Sequence, residues 1–353
     1  MTLPYLTQAR APLTSEIDAV NEFGELQKVS IPAERALTVY VDKRELVTLM
    51  TLGANPELLV LGYLRNQRLV RDVADIESIT VDWDVGAAAV KTRHGIKDIE
   101  KKTAHRVVTT GCGQGSVFGG LMDEVDQIAL PAGAYITQGQ LYSLVNTIRL
   151  KETTYKSAGS VHACALFSTA SGESDMLLFV EDVGRHNAID TIAGWMWCMA
   201  PTLPASRGSL PPEGAAAPAV RQSRSCGPGL VGESEPCATP EASLNVDPAS
   251  GLLPLPLGEG RGEGSPASST QSLVFYTTGR LTSEMVIKSA QMGVPVVVSR
   301  SGITQMGHQV AQAVGLCAIG RATNKRFLCY THAERLRLEP DLLAAHPASS
   351  GAE

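Results

Sequence analysis

The sequence predicts an α/β protein built around a parallel sheet, and three stretches carry that expectation. Residues 273 to 319 alternate: Leu273 to Tyr276, Val294 to Val298 and Leu316 to Ile319 are short runs rich in branched side chains. Between them, Ser283 to Gln291 and Gln305 to Val314 have helical apolar spacing, the second stopped by Gly315. A strand–helix–strand–helix–strand order requires crossover helices over parallel strands. Upstream, Val161 to Ser168 and Met176 to Val180 read as strands joined through Ser171-Gly172, and Ala188 to Met199 reads as a helix. Nearer the N-terminus, Leu37, Val39 and Val41 alternate, turn at Asp42-Lys43-Arg44 and return through Leu46 to Met50. Ile79 to Trp83 and Ala87 to Lys91 flank Val85-Gly86 as a second hairpin.

The remaining elements follow from local signals. Asn55-Pro56-Glu57 opens a helix, with Asn able to cap, Pro suited to the first turn and Glu to the positive helix end. Leu58, Leu59, Leu61, Gly62 and Leu64 give it an apolar face. Thr137 caps a helix running through Leu141, Leu144, Val145 and Ile148. Residues 1 to about 30 lack sustained periodicity and are expected as a loosely ordered arm. From about Pro201 to Ser269, Pro, Gly, Ser, Ala and Glu dominate. Such a composition cannot bury enough surface to offset its ordering entropy, so a disordered insertion within a folded domain is expected.

Bulk properties narrow the function. The 353 residues allow two domains, or one large domain with an insertion. A net charge of -6 argues against a nucleic-acid binder, which needs a clustered basic excess. No apolar run has membrane-spanning length and Met1 to Arg10 has no signal-peptide core, so a cytoplasmic protein without a membrane partner is expected. The seven cysteines are dispersed with no C-x-x-C, which reads as reduced thiols and no zinc site. Cys164, Cys198, Cys317 and Cys329 lie in apolar segments and read as core packing. Cys226 and Cys237 fall in the insertion and receive no role. His332-Ala333-Glu334 matches half of a zinc-deaminase signature, but the P-C-x-x-C partner is missing.

The stretch Glu181-Asp182-Val183-Gly184-Arg185-His186-Asn187-Ala188, read with Asp190, carries the most concentrated chemistry. It links a buried strand to a helix start, the place where open α/β sheets receive ligands. A helix start offers N–H groups and partial positive charge to an anion, and Arg185 adds a fork of donors. A helix cap with a surface salt bridge is the plainer alternative. Thr277-Thr278-Gly279-Arg280 repeats the pattern, since a Gly-Arg pair again follows a strand and opens a helix. Two such turns suggest convergence on one ligand, whereas Ser299-Arg300-Ser301 reads as a solvated turn. His162, near a strand start, gains interest only if its strand pairs with the Met176 strand. Cys112 lies in Thr109-Thr110-Gly111-Cys112-Gly113-Gln114-Gly115-Ser116, where glycines let N–H groups converge on the sulfur. Alone it is as readily a small residue in a turn as a reactive thiolate.

"EDVGRHNAID" at 181–190, "TTGR" with "SEMVIKSAQMGVPVVVSRSG" in 277–302, and "VHACALF" at 161–167 resemble the FdhD/NarQ family. So do "PELLVLGYLRNQRLV" at 56–70 and "TTGCG" at 109–113, and the likeness runs from about residue 31 to 332. The resemblance implies an accessory sulfurtransferase for formate dehydrogenase maturation. Such a protein takes sulfane sulfur from a cysteine desulfurase and passes it to bis-molybdopterin guanine dinucleotide before that cofactor enters the formate dehydrogenase catalytic subunit. It also implies a homodimer and a cytidine-deaminase-like three-layer core, here without zinc. The expected organisation is an arm over 1–30, an N-terminal α/β domain over 31–150 with the Cys112 loop, a core over 151–335 interrupted by 201–269, and a tail over 336–353. Carried onto matching positions, Cys112 becomes the persulfide-bearing residue. Cofactor contacts fall on His162, Asp182, Gly184, Arg185, His186, Asn187, Asp190, Gly279 and Arg280, with GDP as a surrogate ligand. One position departs: many relatives have a second cysteine where this chain has Gly115. A persulfide needs one thiol only. A cofactor-binding chaperone that moves no sulfur is the alternative.

Overall fold

The computed structural model describes residues 3–96, 128–151, 154–199 and 273–344. Cys112, the insertion expected over 201–269 and the chain beyond 344 lie outside them.

Two sheets organise these residues. The first contains β1 (Tyr5–Leu6), β4 (Arg35–Val41), β5 (Arg44–Thr51), β6 (Ile76–Asp82) and β7 (Ala87–Thr92), in the order β1-β6-β7-β4-β5. Helix α1 (Pro56–Asn66) packs on it through Leu59, Val60 and Leu64. Pro56 takes the first helical position as expected, but Asn55 makes no side-chain cap, and Glu57 instead accepts from Thr7 Oγ1 and Ala9 N, both at 2.7 Å.

The second sheet has β9 (His162–Ser168), β10 (Asp175–Asp182), β11 (Leu273–Thr277), β12 (Val296–Ser299), β13 (Cys317–Thr323) and β14 (Arg326–Cys329), in the order β10-β9-β11-β12-β13-β14. β11, β12 and β13 are mutually parallel, as their crossover helices demand. β9 is antiparallel to both β10 and β11, which leaves β10 pointing the same way as β11. Helices cover both faces. On one, α4 (Arg185–Met199), α5 (Ser283–Gln291) and α6 (Gln305–Ala313) contribute Ile189, Ile192, Met285, Ile287 and Val310. On the other, α2 (Gln138–Lys151) contributes Leu141, Leu144, Val145 and Ile148 against Phe167, Val274 and Tyr276. Each such burial is worth roughly 1.5–3 kcal/mol. Three layers result.

Several expectations are corrected. The segment 1–30 is not a loose arm: β1 joins the first sheet, and β2 (Thr14–Val20) pairs with β3 (Leu26–Pro32) in an antiparallel hairpin. Most of its side chains are exposed, so no buried stripe marked it in the sequence. Helix α2, expected within the 31–150 domain, belongs to the second sheet because its apolar face meets that sheet. A capping box opens it, Gln140 N donating to Thr137 Oγ1 (3.2 Å) and Thr137 N to Gln140 Oε1 (2.9 Å). The start of the expected 336–353 tail is ordered too: β15 (Leu336–Arg337) pairs with β8 (Ile136–Thr137), followed by α7 (Pro340–Ala344). Finally, α4 begins at Arg185, three residues before the expected start, which places Arg185, His186 and Asn187 inside its first turn.

The cores are joined where α1 crosses α4. A Cβ on Gly62 would lie 1.7 Å from Asp190 O, and one on Gly194 2.0 Å from Leu58 O. Only glycine permits this backbone approach. Arg65 Nη1 donates to Ala193 O (2.9 Å) across the same crossing.

Candidate functional site

The carboxyl ends of β10, β11 and β12 and the start of β9 share one edge of the second sheet, and the two Gly-Arg turns sit there. His162 opens β9 directly opposite Asp182, which closes β10. Asp182 is buried and accepts four hydrogen bonds. Oδ1 takes Gly184 N (3.0 Å) and Asn187 Nδ2 (2.8 Å), while Oδ2 takes Thr51 Oγ1 (2.5 Å) and Leu52 N (3.3 Å). Burial pushes the Asp182 pKa up, and these donors pull against it. Asn187 Nδ2 also donates to Met50 O (2.6 Å). Together Asp182 and Asn187 fasten the end of β5 to the first turn of α4, fixing where Arg185 leaves the helix. Glu181 fastens a second piece by accepting from Thr154 N (2.8 Å) and Tyr155 N (3.0 Å) at the start of α3 (Thr154–Ala158).

Behind the turn lies a buried ionic chain. Lys288 Nζ reaches Asp190 Oδ2 at 2.9 Å and Glu284 Oε1 at 3.4 Å. Asn66 Nδ2 donates to Asp190 Oδ1 (2.7 Å), and His186 Nε2 lies 3.2 Å from Glu284 Oε2. Asp190 is 0% exposed and Lys288 1%. Burial alone would lower the Lys288 pKa, but the facing carboxylates of Asp190 and Glu284 outweigh it and hold the amine charged. Charges this deep persist only when paired. The chain ties α4, α5 and α1 together from inside.

At the strand ends themselves Arg185 is buried, 6% exposed, and Gly279 is buried too. Arg185 lies across Gly279: a Cβ there would stand 2.8 Å from Arg185 Cδ. Gly279 N donates to Thr277 Oγ1 (3.1 Å), and Ser299 Oγ donates to Gly279 O (2.7 Å), which fixes the second turn against β12. His162 is half-buried, and its pKa is lowered by burial first, then by Arg185 and Arg280. Arg280 is exposed. Below them Cys164 is fully buried, donates to Thr277 Oγ1 (3.4 Å), and is pushed up to about 12 by burial. It is a core thiol, as its sequence setting suggests.

The nominated residues therefore fall into two groups. His162, Gly184, Arg185, Gly279 and Arg280 gather at the edge. The side chains of Asp182, His186, Asn187 and Asp190 engage protein partners within it, and Cys112 lies outside the described residues. Sequence reasoning missed Thr51, Glu284 and Lys288. The Glu284–Lys288 spacing of four, inside an otherwise apolar helix face, was the available signal for the last two. Arg300, expected in a solvated turn, follows β12 as an exposed residue with its guanidinium over the Tyr155 ring, 6.0 Å from the centroid. A cavity of about 210 Å³ opens between α2 and these strand ends, lined in part by Arg149, Tyr276 and Arg300. That volume falls short of the roughly 300 Å³ at which small-molecule pockets begin.

The edge can hold an anion through guanidinium groups, beside a histidine whose pKa burial and those cations hold below its usual value. Among the described residues no group of three or more His, Cys, Asp or Glu is placed to hold a metal, and no helix is long and apolar enough to cross a membrane.

Comparison with known proteins agrees with the sequence resemblance. The sulfur carrier protein FdhD of Bacillus subtilis is 26% identical over 318 residues, covering 90% of this chain and 94% of that protein. Its counterpart in Bacillus licheniformis is 27% identical over 317 residues, covering 89% and 93%. A crystal structure from Desulfotalea psychrophila, described as a formate dehydrogenase accessory protein, shares the fold with a TM-score of 0.57 at 18% identity, covering 92% of this chain and all of that one. Residues 32–206 and 262–337 match the model of the FdhD/NarQ family, and the chain belongs to that family.

Proposed function

We propose that the chain is an accessory sulfurtransferase for formate dehydrogenase maturation, acting in the cytoplasm as a homodimer. It carries sulfane sulfur as a Cys112 persulfide from a cysteine desulfurase to bis-molybdopterin guanine dinucleotide, which is its substrate. The observation that carries the ligand side is the meeting of Arg185 with Gly279 beside His162 and Arg280, which gathers cationic donors at one sheet edge. Guanidinium forks suit pyrophosphate and guanine edges. Arg185, Arg280, His162 and the two glycines touch the nucleotide end. Asp182, His186, Asn187 and Asp190 act through them as positioning residues. The helices on both sheet faces also support a cytidine-deaminase-like reading of the core.

Sulfur loading requires one thiol. The Cys112 thiolate attacks the terminal sulfur of the desulfurase persulfide, a new S–S bond forms, and the desulfurase thiolate leaves. Gly115 supplies no second thiol, which favours one specific alternative: a chaperone that binds and delivers the cofactor without moving sulfur. Incubation with desulfurase and cysteine, followed by an alkylating mass tag, separates the two. A persulfide on Cys112 is the expected result. Its absence with GDP binding intact establishes the chaperone.

A further inference from the structure

Cys317 and Cys329 meet on the β13–β14 side of the second sheet. Cys317 begins β13, which runs parallel to β11 and β12, whereas Gly279 follows the end of β11. By register Cys317 is level with Val296 and Cys329 with Val298, on the second and third strands from β11, so at about 4.8 Å per strand the pair lies roughly 10–14 Å to the side of it. The pair therefore stands apart from the Arg185–Gly279 edge.

The two sulfurs lie 3.8 Å apart. Cys317 is fully buried, while Cys329 is partly exposed at the end of β14. β14 is a four-residue edge strand whose register with β13 is interrupted between Gly320 and Thr323. A short, irregular edge can move, and a disulfide requires the sulfurs to close to about 2.05 Å. The thiols are also unequal. The hydrogen bond with Cys317 holds the Cys329 thiol below the usual range, with burial acting against it. That hydrogen bond, together with burial, pushes Cys317 up. An accessible, more acidic thiol beside a buried one is the arrangement in which the first attacks and the second resolves.

We propose that Cys329 and Cys317 form a redox-active dithiol that closes to an intrachain disulfide by exchange with a low-molecular-weight disulfide. The Cys329 thiolate attacks one sulfur of the small disulfide, forming a mixed disulfide and expelling one thiolate. Cys317 gives its proton to that thiolate and attacks the Cys329 sulfur, and the second small thiolate leaves and takes up the proton that Cys329 had released. Two protein thiols are oxidised by two electrons, and one small disulfide is reduced to two thiols. This chemistry is independent of sulfur carriage at Cys112.

The test uses the full chain equilibrated in glutathione buffers of rising glutathione disulfide content, blocked with N-ethylmaleimide, digested and weighed. A peptide pair cross-linked through Cys317 and Cys329 should accumulate and disappear with dithiothreitol, while Cys164 remains a free thiol. In Cys317→Ser the mixed disulfide should persist on Cys329. The proposal is overturned if both thiols stay free at every ratio. It is equally overturned if the unsubstituted protein holds glutathione on Cys329 without closing the cross-link.

Discussion

Arg185 packs against the bare backbone of Gly279, with its Cδ 2.8 Å from where a Cβ would stand. Two turns far apart in the chain thereby pack together, with both residues buried. Gly279 does not have a positive φ, so the glycine serves space and not conformation.

Gly279→Ala should therefore act through Arg185. Added volume at a buried position costs about 1–3 kcal/mol of stability, and the displaced guanidinium should weaken GDP binding by about tenfold, or ~1.4 kcal/mol. Arg185→Ala should weaken it by at least ~1 kcal/mol, the worth of a charged hydrogen bond. In the Arg185→Ala background the Gly279 substitution should cost no further affinity, since its target is gone. Calorimetry on the four proteins checks this. Additive losses would mean that Gly279 acts on the ligand by another route, and unchanged affinity in both single variants would remove the turn from the site.

Much of this edge was legible in the sequence. Apolar runs broken by glycine and hydroxyl residues marked the strand ends, and the doubled Gly-Arg pattern marked the two turns that meet. The inner support was not legible, for a physical reason. Asp182 bonds Thr51 across 131 positions, Asn187 bonds Met50 across 137, and Asp190 bonds Asn66 and Lys288 across 124 and 98. No local spacing encodes such pairs, so polar residues bracketed by apolar runs read as ligand contacts when their partners were distant protein groups. The β2–β3 hairpin escaped for the opposite reason: with both faces largely exposed, it has no buried stripe to betray a period of two.

Lys288→Met should be strongly destabilising. The substitution keeps much of the volume but leaves Asp190, 0% exposed, facing Glu284 without the intervening cation. Breaking a buried pair from one side costs about 3–5 kcal/mol. Urea titration should show the midpoint falling with an unchanged slope. The double variant Lys288→Met with Asp190→Asn should recover part of the loss, because the stranded charge is then removed. A loss below about 1 kcal/mol, on the scale of exposed ion pairs, would show that the network contributes little to the fold.

His162 makes ligand binding depend on pH, and the sign follows from its neighbours. In the unliganded protein its pKa lies below the ordinary 6.5, through burial first and then Arg185 and Arg280. The folded state therefore resists protonation of this ring more than the unfolded chain does, and His162 costs stability as pH falls through 6.5 toward its folded value. An anion seated between the two arginines cancels their repulsion and offers the imidazolium an acceptor, so the pKa rises on binding. Binding then takes up protons. GDP affinity should be flat above the bound-state pKa, rise as pH falls between the bound and free values, and level off below the free value. Calorimetry from about pH 8 to about pH 5.5, the range in which histidine changes charge, in buffers of different ionisation enthalpy, counts the protons. His162→Gln should remove that uptake, leaving only the protons that the GDP phosphate releases when the arginines bind it. Equal uptake in the two proteins would place His162 away from the bound phosphates, and affinity that falls on acidification would reverse the electrostatic assignment of the edge.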